Sequence, residues 1–441
     1  MTSPRTADLV ARDLHSLWHP FTQHTVWPAD EPVVMERGEG VHLWDTDGNR
    51  YVDGVSSLWV TVHGHREPAI DEAIRAQLDR LAHSTFLGLT HEPGIELAEM
   101  LLARSPGLSR VFYAGDGSSA VEVALKMAFQ AAAQRGEHRP LFAHLAEAYH
   151  GDTLGAVSVG GSDLFHATYR PILLETRTVG SPGLRRPGQS AEDRAAETLE
   201  ELRGLLEREG SSICALIVEP LVQAASGMLT YDPSFLRGAR RLCSARGVLL
   251  IVDEVATGIG RTGTFWASEQ AGVVPDLLVC AKGITGGYLP LSAVLTTEAV
   301  YNAFLARPEE GKAFFHGHSY TGNQLACAAA IANLRLMDER SSVGHAAALG
   351  ERIGQRLGEV SDVITEVRRL GTMTGIELGS YDASLRSGFR VCQEARKRGV
   401  WIRPLGNVVV LMPPLGMTIA VLDEMLDVVC ESIRVVAKEL A

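Results

Sequence analysis

Cysteine is sparse in this 441-residue chain: Cys214, Cys243, Cys280, Cys327, Cys392 and Cys430, with no C-x-x-C pair among them. Several sit inside apolar runs, which predicts buried free thiols rather than a disulfide framework. Basic charge is also short. Lys and Arg number 41 against 53 Asp and Glu, a net charge of −12. That balance argues against a surface for nucleic acid or for an anionic membrane. No run of 18 apolar residues occurs, and the opening MTSPRTADLVARDLHSLWHP holds no apolar signal core. The expectation is a cytoplasmic protein, not a membrane one. H-E-x-x-H, G-x-S-x-G and the Walker lysine motif are missing. His63/His65 and His316/His318 stand two apart with no cysteine or acid at ligand spacing, so no metal site is expected.

What is present is a rhythm. Early segments Val33–Glu36, Val41–Asp45 and Tyr51–Ser56 read as strands, the last two joined by the D-G turn Asp45–Asn49. Helical spacing follows over Pro68–Leu81. Strand and helix then alternate: strands at Arg110–Tyr113, Leu141–Leu145, Ile213–Val218, Val248–Val252, Leu277–Val279 and Ser292–Thr296, with helices such as Ser118–Gln134, Ala191–Arg208 and Pro233–Arg246 between them. Such alternation predicts an α/β fold, a mostly parallel sheet with helices on both faces. Gly180–Ser190 is expected to be a surface loop. Beyond a long helix at Leu325–Asp338, the remaining helices and strands form a smaller α+β region.

Chemistry concentrates at strand ends. Val248–Val252 runs into Asp253-Glu254, and Leu277–Cys280 delivers Lys282 into a glycine-rich turn. Ligands in open α/β sheets sit at the carboxyl ends of strands. An acid for a pyridine nitrogen and a lysine for an aldehyde make a site for pyridoxal phosphate (PLP), although a loop acid and a solvated lysine fit the pair alone. Gly115-Asp116-Gly117-Ser118-Ser119 opens a helix, where free N–H groups and the macrodipole suit a phosphate. A plain capping turn, Ser119 with Glu122, is the competing reading. Tyr149 in YHGDT could stack on a flat ring, with Asp152 orienting a polar partner. Gly258–Gly263 matches G-x-G-x-x-G, but Thr264-Phe265-Trp266 follows without helical rhythm and two acids intervene before the glycines, so no dinucleotide is expected. Arg261 within it could bind a substrate carboxylate or form a structural ion pair.

Taken together, VLLIVDEVATGIGRTG, PDLLVCAKGITGGYLP and the VEP at Val218–Pro220 resemble the class III PLP-dependent aminotransferases across nearly the whole chain. Trp18-His19-Pro20, Ser56-Ser57-Leu58-Trp59 with His63-Gly64-His65, YHGDT and Trp401-Ile402-Arg403-Pro404 resemble the branch that aminates 8-amino-7-oxononanoate in biotin synthesis. The resemblance implies the fold-type I architecture, with 67–330 as the large PLP-binding domain. The smaller domain would come from both termini, 1–66 and 331–441. It implies a homodimer with shared active sites and small-molecule substrates, the donor being S-adenosylmethionine or lysine.

Carried over, Lys282 would hold PLP, Asp253 the ring nitrogen, Val255 and Tyr149 the two ring faces, and Gly117 and Ser118 the phosphate. Ser319 would reach that phosphate from the partner subunit. Arg403 would bind the substrate carboxylate beside Asp152, with Trp59, Phe21 and Arg261 also on the substrate side. Phe21 stands where many of that branch have tyrosine, and Asp116 replaces a commoner serine. Two alternatives stay open: another class III activity on diamines or ω-amino acids, or a non-catalytic PLP-fold binding protein.

Overall fold

The computed structural model describes residues 2–440. Seven strands form the main sheet in the order Arg110–Ala114, Ser292–Thr296, Leu277–Cys280, Leu249–Asp253, Ile213–Val218, Leu141–Leu145, Thr176–Val179. Ser292–Thr296 is antiparallel to both of its neighbours, and the other six run parallel. The connection explains the exception. Only residues 281–291 link Cys280 to Ser292, and they hold one short 3-10 turn, too little for the crossover helix that a parallel return needs.

Both faces of the sheet are covered, which is why its strands read as unbroken apolar runs. In Ile213–Val218, Ile213, Leu216 and Val218 enter one core with Phe235 and Leu202. Cys214, Ala215 and Ile217 enter another with Val121, Ala124 and Ala128 of the helix Gly117–Gln134. Apart from the adjacent Cys214 and Ala215, alternation along the strand thus feeds two layers of helices.

The smaller α+β part draws on both ends of the chain. Met35–Glu39, His42–Asp45 and Arg50–Asp53 form an antiparallel set, and Val400–Trp401 adds to Arg50–Asp53 in parallel. A second sheet joins Glu366–Leu370, Met373–Glu377, Val408–Leu411 and Arg403–Leu405. Val41 and Val52 share a core with Leu422, Met425 and Val429 of the last helix, Ile419–Leu440.

Three features go beyond the sequence reading. The helix Gln324–Glu339 buries Ala326 and Ala330 in the same core as Leu334 and Met337, so the expected boundary after residue 330 falls inside a continuously packed element. Thr176–Val179 is a strand that its polar sequence, TRTV, does not announce. Part of the expected loop Gly180–Ser190 is buried: Ser181 donates to Gln223 Oε1, and a Cβ on Gly183 would lie 2.9 Å from that of Leu229. All six cysteines are free and buried, as their apolar settings require.

The N-terminal hairpin hangs on one carboxylate. Asp45 accepts from Asp47 N (3.0 Å), Asn49 N (2.8 Å), Asn49 Nδ2 (2.9 Å) and the Tyr51 hydroxyl (2.7 Å). Burial would raise its pKa, but the hydrogen bonds from Asn49, Tyr51 and Asp47 outweigh burial and hold it below the ordinary 3.8. A depressed folded pKa stabilises above the unfolded value and is lost as pH falls through the folded one. Asp45→Ala is expected to cost about 1–3 kcal/mol at neutral pH. The gap from the parent chain should narrow below pH 3.8, as measured by denaturant unfolding across pH.

Candidate active site

Parallel strands end on one edge of a sheet, so whatever follows them meets there. Arg110–Ala114 runs into the Gly115–Gly117 turn, and Leu141–Leu145 leads to Tyr149–Thr153. Ile213–Val218 ends at Glu219, Leu249–Asp253 at Asp253, and Leu277–Cys280 precedes Lys282 by two residues. All of these line one cleft of about 700 Å³, together with Trp59 and Val255.

At one end of the cleft stands the helix Gly117–Gln134. Its N-cap is Asp116, which accepts from Ser119 N and Ser119 Oγ, both at 2.9 Å. The capping reading built on Ser119 and Glu122 is therefore corrected: Asp116 caps, and Glu122 instead accepts from Gly155 N at 2.8 Å. Gly117 and Ser118 are left at the positive end of the helix dipole. A Cβ on Gly117 would come 2.9 Å from Val255 Cγ1. Ser118 Oγ accepts from Thr153 N at 3.0 Å and lies 2.9 Å from Thr153 Oγ1. Gly151 allows that approach, because its φ is +120° and any Cβ there would strike Ser118.

Deeper in the cleft, Asp253 is buried with Oδ2 2.7 Å from His150 Nδ1, and Oδ1 accepts from Val255 N at 3.0 Å. Glu219 accepts from Tyr149 N (3.1 Å) and Ala224 N (3.0 Å). Burial pushes its pKa up to about 7, with the charge of Asp253 adding to the rise and His150 opposing it. The Tyr149 hydroxyl donates to Asp152 Oδ2 at 2.8 Å, and burial followed by that bond drives its pKa up. Tyr149 thus keeps its proton at neutral pH and serves as a hydrogen-bond donor, not a base.

Lys282 enters from the strand end with a left-handed φ of +48°, a conformation that costs a non-glycine residue about 1–3 kcal/mol. Asn333 Nδ2 holds the turn by donating to the carbonyls of Gly283 and Ile284, each at 3.0 Å. Lys282 Nζ sits 5.2 Å from the centre of the Trp59 ring. Burial lowers its pKa, Asp253 and Glu219 oppose the fall, and Arg261 adds to it.

Of the expected site residues, Lys282, Asp253, Tyr149, Gly117, Ser118, Val255, Trp59 and Asp152 meet in this cleft. Phe21 and Arg403 do not. They line a second cavity of about 640 Å³ between the N-terminal segment and the helix Ser387–Lys397, and Ser57 borders it too. Ser319 lies outside the cleft lining, its carbonyl accepting from His83 Nε2 at 2.7 Å. Arg261 is a correction. It is enclosed beneath the cleft and donates to Thr61 O (2.7 Å), Pro413 O (2.9 Å) and Ser56 Oγ (3.2 Å), so it clamps backbone segments and does not face substrate. Gly258–Gly263 opens no helix, as expected of a look-alike. Sequence reasoning gave no role to His150 or Glu219. Their neighbours in YHGDT and VEP drew attention, but pairing with a strand end 103 residues away left no local signal.

An amine, a buried carboxylate and an open helix N-terminus on one glycine-floored cleft suit a phosphorylated aldehyde bearing a ring nitrogen. Residues 25–433 match the family Aminotransferase class-III. The chain belongs to that family. It is 49% identical to adenosylmethionine-8-amino-7-oxononanoate aminotransferase of Nitratidesulfovibrio vulgaris, over 96% of this chain and 81% of that one. The protein of the same description from Aquifex aeolicus is 45% identical over 97% of both. Among solved structures, that of Methanocaldococcus jannaschii superposes with a TM-score of 0.92 at 37% identity, covering 97% of this chain and 99% of that one. An amine transaminase from an uncultivated Pseudomonas species, in its PLP-bound form, gives 0.89 at 35%, covering 95% and 98%. This class-III chain is therefore an aminotransferase of the fold-type I α/β class, and its cofactor is PLP.

A lowered pKa makes Lys282 neutral at a pH where ordinary lysines are still charged. The chain has five lysines. Competitive labelling of the cofactor-free protein across pH should show Lys282 titrating below the ordinary 10.5. Titration at or above 10.5 would contradict the desolvation argument.

Proposed function

We propose that this aminotransferase converts 8-amino-7-oxononanoate to 7,8-diaminononanoate in biotin synthesis. The observation that carries the reading is the pair of cavities: the Lys282 cleft, and beside it the cavity at Arg403, separated by the Ser56–Trp59 turn. A linear keto acid could lay its reacting carbon at one and its terminal carboxylate at the other. The guanidinium of Arg403 makes no ion pair among the described residues and is suited to that carboxylate. Relatives at 37–49% identity bearing the name of this activity support it.

PLP, when bound, supplies an electron sink for the carbon that loses its proton. The chain's residues do the rest. Lys282 holds the cofactor by its amine and, once released, takes the substrate proton, a task for which a neutral amine is required. Asp253, oriented by His150, holds positive charge at the ring nitrogen. Tyr149 and Val255 confine the ring, and Gly117 and Ser118 bind the phosphate, joined by Ser319 of the partner subunit. Asp152 and Trp59 border the substrate, with Phe21 above the second cavity.

The donor is S-adenosylmethionine or lysine. A homodimer fits the exposed apolar side chains Leu87, Phe315 and Tyr320, at 90%, 82% and 66% exposure. No helix among the described residues is long and apolar enough to cross a membrane, in keeping with a cytoplasmic enzyme. We place the boundary of the C-terminal part after Glu339, where the bridging helix ends.

Purified protein given 8-amino-7-oxononanoate with each donor in turn should yield 7,8-diaminononanoate, read by mass spectrometry. Failure with both donors, together with turnover of simple amines, would move the reading to an amine transaminase. Lys282→Ala should leave no turnover, and Asp253→Ala should slow it by on the order of 100-fold or more, the scale of a lost electrostatic stabiliser. Arg403→Ala should raise KM for the keto acid by on the order of 10–100-fold, the worth of one charge-assisted bond. The donor half-reaction should be little changed by that substitution.

A further inference from the structure

The wall between the two cavities is a strained turn. Ser56, Ser57 and Trp59 all have positive φ, at +51°, +60° and +66°, and non-glycine residues hold such values only when their surroundings impose them. The imposing group lies one turn upstream. Asp53 is fully buried. One carboxylate oxygen accepts from Ser57 N at 2.8 Å and Val55 N at 3.4 Å, and the other accepts from Ser57 Oγ at 3.0 Å and lies 3.0 Å from His65 Nε2. Ser56 is tied from the other side, its Oγ donating to Met412 O at 2.7 Å and accepting from Arg261 Nη1 at 3.2 Å. The product of this anchoring is Trp59, whose ring face stands 5.2 Å from Lys282 Nζ.

We propose that Asp53 is a positioning residue of the aminotransferase: by pinning the strained Ser56–Trp59 turn it holds the Trp59 ring against the Lys282 amine and keeps the partition between cleft and second cavity. Asp53 itself lines neither cavity; it bonds to Ser57, which borders the second one, and its effect on the Lys282 cleft is exerted through the turn that carries Trp59. The proposal rests on the reading of the Lys282 cleft as the reacting site, and its first test is independent of that reading.

Asp53→Asn keeps the volume and the Ser57 N–H acceptor but turns a donor toward Ser57 Oγ and His65. In cofactor-free protein, the emission of Trp59, taken as the difference between each chain and its Trp59→Phe version, should shift to the red in Asp53→Asn as the ring swings into water. Far-ultraviolet circular dichroism should stay unchanged. With PLP and any amine donor that the parent chain accepts, kcat/KM should fall on the order of 10–100-fold, as for a misplaced catalytic wall. The fall should vanish in a Trp59→Ala background, because both changes remove one and the same interaction. Unshifted Trp59 emission, or losses that simply add in the double variant, would overturn the proposal. If Asp53→Asn does not fold, Ser57→Ala, which deletes only the hydroxyl contact, is read by the same emission shift and the same cycle, and additivity there overturns it equally.

Discussion

Everything chemical in this chain depends on one constraint: six parallel strands must end on the same edge of their sheet. Backbone pairing in parallel register, Leu249 with Ala215 and Ile251 with Leu277 among others, fixes where each strand stops. Once Val252 is locked between the two helix layers, Asp253 has nowhere to go but the edge, and the same holds for Glu219 and for the turn carrying Lys282. No loop has to search for its place. That is why an acid and a lysine 29 positions apart in sequence can be held to one ligand, and why glycines cluster there: where several strand ends converge, neighbours such as Val255 at Gly117 and Ser118 at Gly151 leave no room for a Cβ.

What could be read from the sequence follows from the range of the forces. Period-2 and period-3.6 patterns report local burial, so the helix Pro233–Arg246 and the strands Leu141–Leu145 and Ile213–Val218 were legible. Thr176–Val179 was not, because a sheet-edge strand alternating Thr and Arg carries no apolar signal. Lys282, Asp253 and the Gly117 turn were legible because each follows its own strand directly. Arg261 misled for the opposite reason. Its partners are carbonyls of residues 61 and 413, and only the tertiary fold decides that a guanidinium beneath the cleft satisfies backbone groups. Phe21 and Arg403 come from the two ends of the chain, so no spacing in sequence could announce a cavity between them.

The electrostatics of the cleft raise a harder question. Asp116, Asp152, Glu219 and Asp253 all line it, against one lysine, yet the cofactor brings an anionic phosphate. Four free carboxylates would repel it by several kcal/mol at the low effective dielectric of a cleft. Each acid is instead engaged beforehand by the chain itself. Asp116 stays exposed to solvent and turns its oxygens to Ser119 N and Oγ in the first turn of the helix Gly117–Gln134, away from the Gly117 and Ser118 N–H groups. Asp152 takes the Tyr149 hydroxyl, and Asp253 is bonded to His150. Glu219, with burial against it, moves to about 7 and so needs little cost to be neutral.

The same arrangement sets the lysine. A site with four unengaged acids would hold Lys282 firmly protonated, because opposite charge raises an ammonium pKa and burial lowers it. Here burial prevails over Asp253 and Glu219, with Arg261 adding to the fall. Glu219, whose own pKa burial pushes up to about 7, attracts an ammonium less than a fully ionised carboxylate would. The hydrogen bonds that look like second-order detail around the cleft therefore do two jobs at once. They leave the helix end open to an anion, and they leave burial free to loosen the proton on the amine at the other end.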